Sequence, residues 1–97
     1  MTDRTNIRHV VFFSAKDKAD VPRIVDGLLL LKEIPYPEIF EVRRNTRDDA
    51  FSTEVDVVVY AEFENQGALS AYKAHPLYQD AIEIVRPLRE LRIAADF

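Results

Sequence analysis

Residues 7–14 read IRHVVFFS, a short β-branched and aromatic run that predicts a first strand. Ile7, His9, Val11 and Phe13 fall on one side, and Arg8, Val10 and Phe12 on the other. Both sides are largely apolar. A half-solvated strand alternates more cleanly, so each face of this one needs a cover. A polar connection, AKDKAD, follows. Val21, Ile24, Val25 and Leu28, with Leu31 or Lys32, recur at helical spacing and predict a helix over 21–33. Asp20 is its expected N-cap, with Pro22 in the first turn. Ile34-Pro35 and Tyr36-Pro37 end it, because the residue before a proline avoids the α region.

Residues 38–47 predict a second, more polar strand whose apolar side carries Phe40 and Val42. Residues 48–53 form a turn region, and 54–63 predict the clearest strand. There Val55, Val57, Val59, Ala61 and Phe63 alternate with Glu54, Asp56, Val58, Tyr60 and Glu62. Asn65 caps a short helix through Ala68, Leu69 and Tyr72, and His75-Pro76 breaks it. Leu77, Tyr78, Ala81, Ile82 and Val85 then resume helical spacing up to Pro87. Residues 89–97 supply a last strand, with Ile93, Ala95 and Phe97 on one face.

The order β-α-β-β-α-β, with the second helix in two pieces, predicts an α+β, ferredoxin-like βαββαβ sandwich. Right-handed crossovers put both helices on one face of the sheet. The other face carries Val10, Phe12, Val58 and Tyr60, an apolar patch too large to leave in water. A second copy related by a twofold axis is the simplest cover, so a homodimer through the open sheet face is expected.

Composition narrows the function. A chain of 97 residues and 11.2 kDa has the size of one domain, 1–97. Thirteen basic and seventeen acidic residues give a net charge of −4 with no dense basic stripe, which argues against nucleic acid or an anionic membrane as partner. With no cysteine, disulfides, thiolate nucleophiles and thiolate metal sites are excluded. The opening MTDRTN has no apolar secretory core, and the apolar run at 28–31 is too short to span a bilayer, so a cytoplasmic protein is expected. No glycine-rich phosphate loop, G-x-S-x-G or H-E-x-x-H occurs.

The candidate chemistry rests on few residues. His9 shares its strand face with Ile7, Val11 and Phe13, and an imidazole there can act as a general base near neutral pH. The plainer reading is a buried histidine bonded to a neighbour. The Tyr72 phenol can donate to a developing oxyanion, or serve as a core aromatic. Tyr78 can orient a ligand but is a poor base at neutral pH. His75 is a further ligand candidate, though capping the second helical piece is its plainer role. Two histidines at no ligand-like spacing give no metal site, and no cofactor is called for. Arg43, Arg44 and Arg47, followed by Asp48 and Asp49, read as a solvated strand end with local ion pairs.

Several of these residues resemble a known family. Arg8-His9-Val10-Val11-Phe12 resembles the H-x-V-x-F opening of stress-responsive A/B barrel domains (Dabb). The stretch from Ala68 to Pro76, ALSAYKAHP, is similar to that family's helix ending in Y-x-x-H-P, and Asp96-Phe97 resembles its aspartate-aromatic ending. The resemblance implies a dimeric α/β barrel, two ferredoxin-like sheets packed face to face. It also implies an internal pocket of the kind used by the family's polyketide cyclases. His9 and Tyr72 match two of the residues lining that pocket; where the cyclases have a second histidine, this chain has Tyr78. The expected function is binding of a small hydrophobic or polyketide-like ligand between sheet and helices, with cofactor-independent, cyclase-like acid/base activity. Val11 and Phe13 would join His75 and Tyr78 as ligand contacts. A non-catalytic, stress-related or ligand-binding dimer is the alternative, and a cofactor-free monooxygenase-like enzyme of the same superfamily is a further one. A cavity reaching His9 and Tyr72 together favours the enzyme, and a filled core there favours the non-catalytic alternative.

Overall fold

Residues 6–97 are described by a computed structural model. The reading of the opening MTDRTN as free of an apolar leader falls, but for Asn6, outside them. Four strands are formed: β1 (Ile7–Ala15), β2 (Ile39–Arg44), β3 (Val57–Phe63) and β4 (Arg89–Asp96). They make one antiparallel sheet in the order β2-β3-β1-β4. Helices α1 (Val21–Leu29), α2 (Gln66–Ala74) and α3 (Pro76–Val85) cover one face. This is the ferredoxin-like α+β arrangement expected from the element order.

The alternation in β1 and β3 fixes which face is which. His9, Val11 and Phe13 in β1, and Val57, Val59, Ala61 and Phe63 in β3, are all buried. They meet Ile24 and Leu28 of α1, Leu69 and Tyr72 of α2, and Ala81 and Val85 of α3. The intervening residues point to the uncovered face. There Val10 pairs with Tyr60 and Ala95, and Phe12 with Val58 and Ile93. Ile93 stays 55% exposed and Phe97 57%. The molecule is only 16 Å thick along its shortest axis, one sheet and one helical layer.

Local chemistry moves several boundaries. The 21–33 helix is α-helical over Val21–Leu29 and tightens to a 3-10 turn over Leu30–Glu33. Asp20 precedes α1 but does not cap it through its side chain. Its backbone is already near-helical (φ −89°, ψ −1°), and Pro22 has no N–H to receive a cap. The Asp20 carboxylate instead accepts from Arg23 at 3.1 Å, while Asp17 caps the preceding 3-10 turn through Ala19 N–H at 3.0 Å. The second strand is shorter than the expected 38–47 and the third shorter than 54–63. Asn45 explains this: its amide donates to the Ser52 and Val55 carbonyls, at 3.1 and 2.7 Å, and its Oδ1 accepts from Arg47 N–H at 3.0 Å. Arg47 adopts φ 63°, which no strand can continue. Within the basic cluster, Arg43 pairs with Glu41 at 3.3 Å, and Arg47 pairs with the buried Asp56.

Gly27 lets α1 approach α3 closely. A Cβ built there would lie 2.7 Å from Ile84 Cγ2 and 3.0 Å from Val85 Cγ2, both on stiff branched side chains. Gly27→Ala is therefore expected to destabilise the fold by about 1–2 kcal/mol, an overpacking cost of about 1–3 kcal/mol less up to about 1 kcal/mol of helix propensity. Urea unfolding checks this, and a more stable variant would show that the two helices separate freely.

Candidate functional site

His9, Val11 and Phe13, on the helix-facing side of β1, form the floor of a cavity of about 190 Å³ between β1 and the helices. Leu28, Leu31, Val59 and Val85 add apolar walls, and Tyr72 and Tyr78 bring phenols. His9 and Tyr72 are each 1% exposed, with ring centroids 6.3 Å apart. Phe63 stacks edge-on against Tyr72 at 5.0 Å. Of the expected site residues, the cavity thus brings together His9, Val11, Phe13, Tyr72 and Tyr78.

His75 is placed differently. It does not line this cavity; its Nδ1 accepts from Leu77 N–H at 3.1 Å, capping α3, and its ring lies edge-on to Tyr36. The cap matters to the site. In one continuous helix, Tyr72 and Tyr78 would point about 120° apart. The break at His75 and Pro76 turns α3 so that the two rings meet edge to face at 5.3 Å.

The register of β4 supplies a group that the sequence pattern did not single out for the site. His9 pairs directly with Asp96 across β1 and β4, and His9 Nδ1 is hydrogen-bonded to the Asp96 carboxylate. An ionised carboxylate accepts only, so Nδ1 carries the hydrogen and Nε2 keeps its lone pair. Tyr72 has the opposite character. Burial, reinforced by Tyr78, pushes its phenol above the ordinary range, and nearby Arg92 only partly offsets this. Tyr72 therefore stays a neutral hydrogen-bond donor. Among the described residues its hydroxyl has no protein partner, and it is open to the cavity rather than sealed off.

Arg86, Arg89 and Arg92 also line the cavity. Arg86 and Arg92 are exposed and Arg89 half-buried, so they form its solvent side. They come from the end of α3 and from β4, and no single periodicity joins them. The signal available in the sequence was their spacing of three around Pro87, which becomes a cluster only once the chain turns into β4. Among the described residues no group of three or more His, Asp or Glu side chains is arranged to hold a metal, and no helix is long and apolar enough to cross a membrane.

Solved structures share the fold. A dimeric ferredoxin-like protein of unknown function from Thermobifida fusca is 23% identical, with a TM-score of 0.81 over 100% of this chain and 93% of that one. A Dabb family protein with a ferredoxin-like fold from Mesorhizobium loti is 24% identical, with a TM-score of 0.80 over 97% and 96% of the two chains. The hydroxynitrile lyase of Passiflora edulis is 14% identical, with a TM-score of 0.79 over 98% and 94%. No protein of curated function matches the chain in sequence. The sequence profile of the stress responsive A/B barrel domain, Dabb, matches residues 7–97. From the first residue of β1 to Phe97 that match takes in every strand and helix of the fold, and the chain belongs to the stress responsive A/B barrel domain family.

Proposed function

We propose that the cavity binds a small hydrophobic, carbonyl-bearing ligand, polyketide-like in chemistry, and that His9 and Tyr72 perform cofactor-independent acid/base catalysis on it. One observation carries this reading: a buried imidazole oriented by a carboxylate shares one largely apolar cavity with a phenol that has no hydrogen-bond partner among the described residues. His9 Nε2 takes a proton from the carbon next to the ligand carbonyl, and the charge on the imidazolium is balanced by Asp96. The electron pair moves to the carbonyl oxygen, where the Tyr72 hydroxyl donates to the resulting enolate. Return of that proton from His9 to the carbon regenerates the ketone and the free base; in a ligand with a second carbonyl, the enolate carbon instead adds to that carbonyl and the alkoxide so formed takes the proton from His9, closing the ring.

Acetophenone, one ring bearing a methyl ketone, is a suitable probe. In D₂O the protein is expected to accelerate exchange of its methyl protons, followed by NMR. His9→Ala should lower that rate by about 10²–10⁴, and Tyr72→Phe by about 10²–10³. Loss of exchange with binding retained supports catalysis. Binding without any acceleration in the unaltered chain sinks the enzyme and leaves a second reading, a non-catalytic binding module. That reading is favoured by Tyr78, which stands where the family's cyclases carry a histidine.

The same proposal includes a homodimer. The solved Thermobifida fusca relative is described as dimeric. Here Val10, Phe12, Val58, Ile93 and Ala95 form a contiguous apolar patch on the uncovered sheet face, suited to a second copy.

A further inference from the structure

The reading of the cavity as a ligand site leaves its three arginines unused. Arg86, Arg89 and Arg92 sit together on its solvent side in a chain whose net charge is −4, so they do not reflect general basicity. Among the described residues none of them pairs with a carboxylate. Arg92 reaches Tyr78 Oη at 3.5 Å, and the cluster is close enough that burial, with the charges of Arg92 and Arg86, holds the Arg89 guanidinium below its ordinary range. Three like charges converging on one opening are mutually repulsive unless an anion joins them.

We propose that the ligand is a small aromatic carboxylate, its ring in the apolar interior and its carboxylate held by Arg89 and Arg92. This rests on the ligand-site reading above and names the class of molecule the site takes. The fork of a guanidinium matches a carboxylate through two parallel hydrogen bonds. The interior has the right size for one ring: an apolar cavity of about 150 Å³ holds benzene, and this one measures about 190 Å³. Tyr72, 1% exposed and with no protein partner for its hydroxyl among the described residues, supplies a donor deeper in. A ring bearing a carbonyl or hydroxyl on the side away from the carboxylate meets both ends of the site.

The test uses the full chain and three probes: phenylacetate, its neutral isostere phenylacetamide, and inorganic phosphate, each titrated by calorimetry and by amide NMR. Phenylacetate is expected to shift signals of β1 and α3 and to bind about tenfold or more tightly than the amide. That preference should weaken as salt rises and vanish in the Arg89→Gln, Arg92→Gln double variant. Equal affinity for acid and amide, both at the cavity, would overturn the carboxylate assignment while the cavity stands as a ligand site. Phosphate binding as tightly as phenylacetate would reduce the arginines to an unselective anion patch, also overturning it. If neither aromatic compound shifts the cavity signals, the ligand-site reading fails with it. Should the double variant not fold, the acid–amide comparison on the unaltered chain still decides.

Discussion

Asp56→Ala is expected to destabilise the fold by about 3 kcal/mol. The Asp56 carboxylate is 2% exposed and sits just before β3. It accepts from Ala15 N–H at 2.8 Å and Lys18 Nζ at 2.7 Å, and it pairs with Arg47. It thus ties the end of β1, the turn before α1 and the 45–56 loop to one point. Alanine leaves the Ala15 N–H buried without a partner, and a charge-assisted network is lost. The expected cost lies at the low end for breaking a buried pair, about 3–5 kcal/mol, because Lys18 and Arg47 are exposed enough to rehydrate. The same site sets an acid dependence. Burial pushes the Asp56 carboxyl up, but the Lys18 and Ala15 hydrogen bonds and the charges of Lys18 and Arg47 outweigh it, leaving the group below its ordinary range. A depressed folded value means that the contribution is present above about pH 4, the unfolded value, and is lost as pH falls through the folded one. Melting temperatures at pH 7 and pH 3 should therefore differ less in Asp56→Asn than in the unaltered chain. An identical acid slope in both would show that other carboxylates set it.

Phe12→Asp is expected to abolish the proposed homodimer and leave a monomer. Phe12 lies at the middle of the uncovered face, between Val58 and Ile93. Burying its ring against a second copy contributes about 1.5–3 kcal/mol per subunit, and aspartate replaces that gain with a desolvated charge. Light scattering should give roughly twice the 11.2 kDa chain mass for the unaltered protein at micromolar concentration. The variant should run at the chain mass with its far-UV circular dichroism retained, because Phe12 is absent from the helix-covered core. A monodisperse monomer before substitution, or an unchanged mass after it, sinks the face-to-face dimer.

The two faces of the sheet were legible because a strand's side chains alternate with a period of two, so Val10 and Phe12 cannot share a side with His9 and Val11. The break between α2 and α3 was legible because proline cannot continue a helix. The ends of β2 and β3 were not legible. They depend on Asn45 reaching Val55 and on Asp56 gathering Lys18 and Arg47, contacts between residues 9 to 38 positions apart. Asp20 failed as a side-chain cap for a local reason, a preceding 3-10 turn that had already made its backbone near-helical.

The site divides in the same way. Alternation and helical spacing in the sequence were enough to direct His9 and Tyr72 toward the same core, since both periods are local properties of the backbone. Only tertiary structure decided that Asp96 orients His9, because that pairing follows from the register of β4 on β1 across 87 residues. It also decided that Arg86, Arg89 and Arg92 surround one opening. Their convergence depends on the turn from α3 into β4 and on where that strand docks, which no pattern of neighbouring residues encodes.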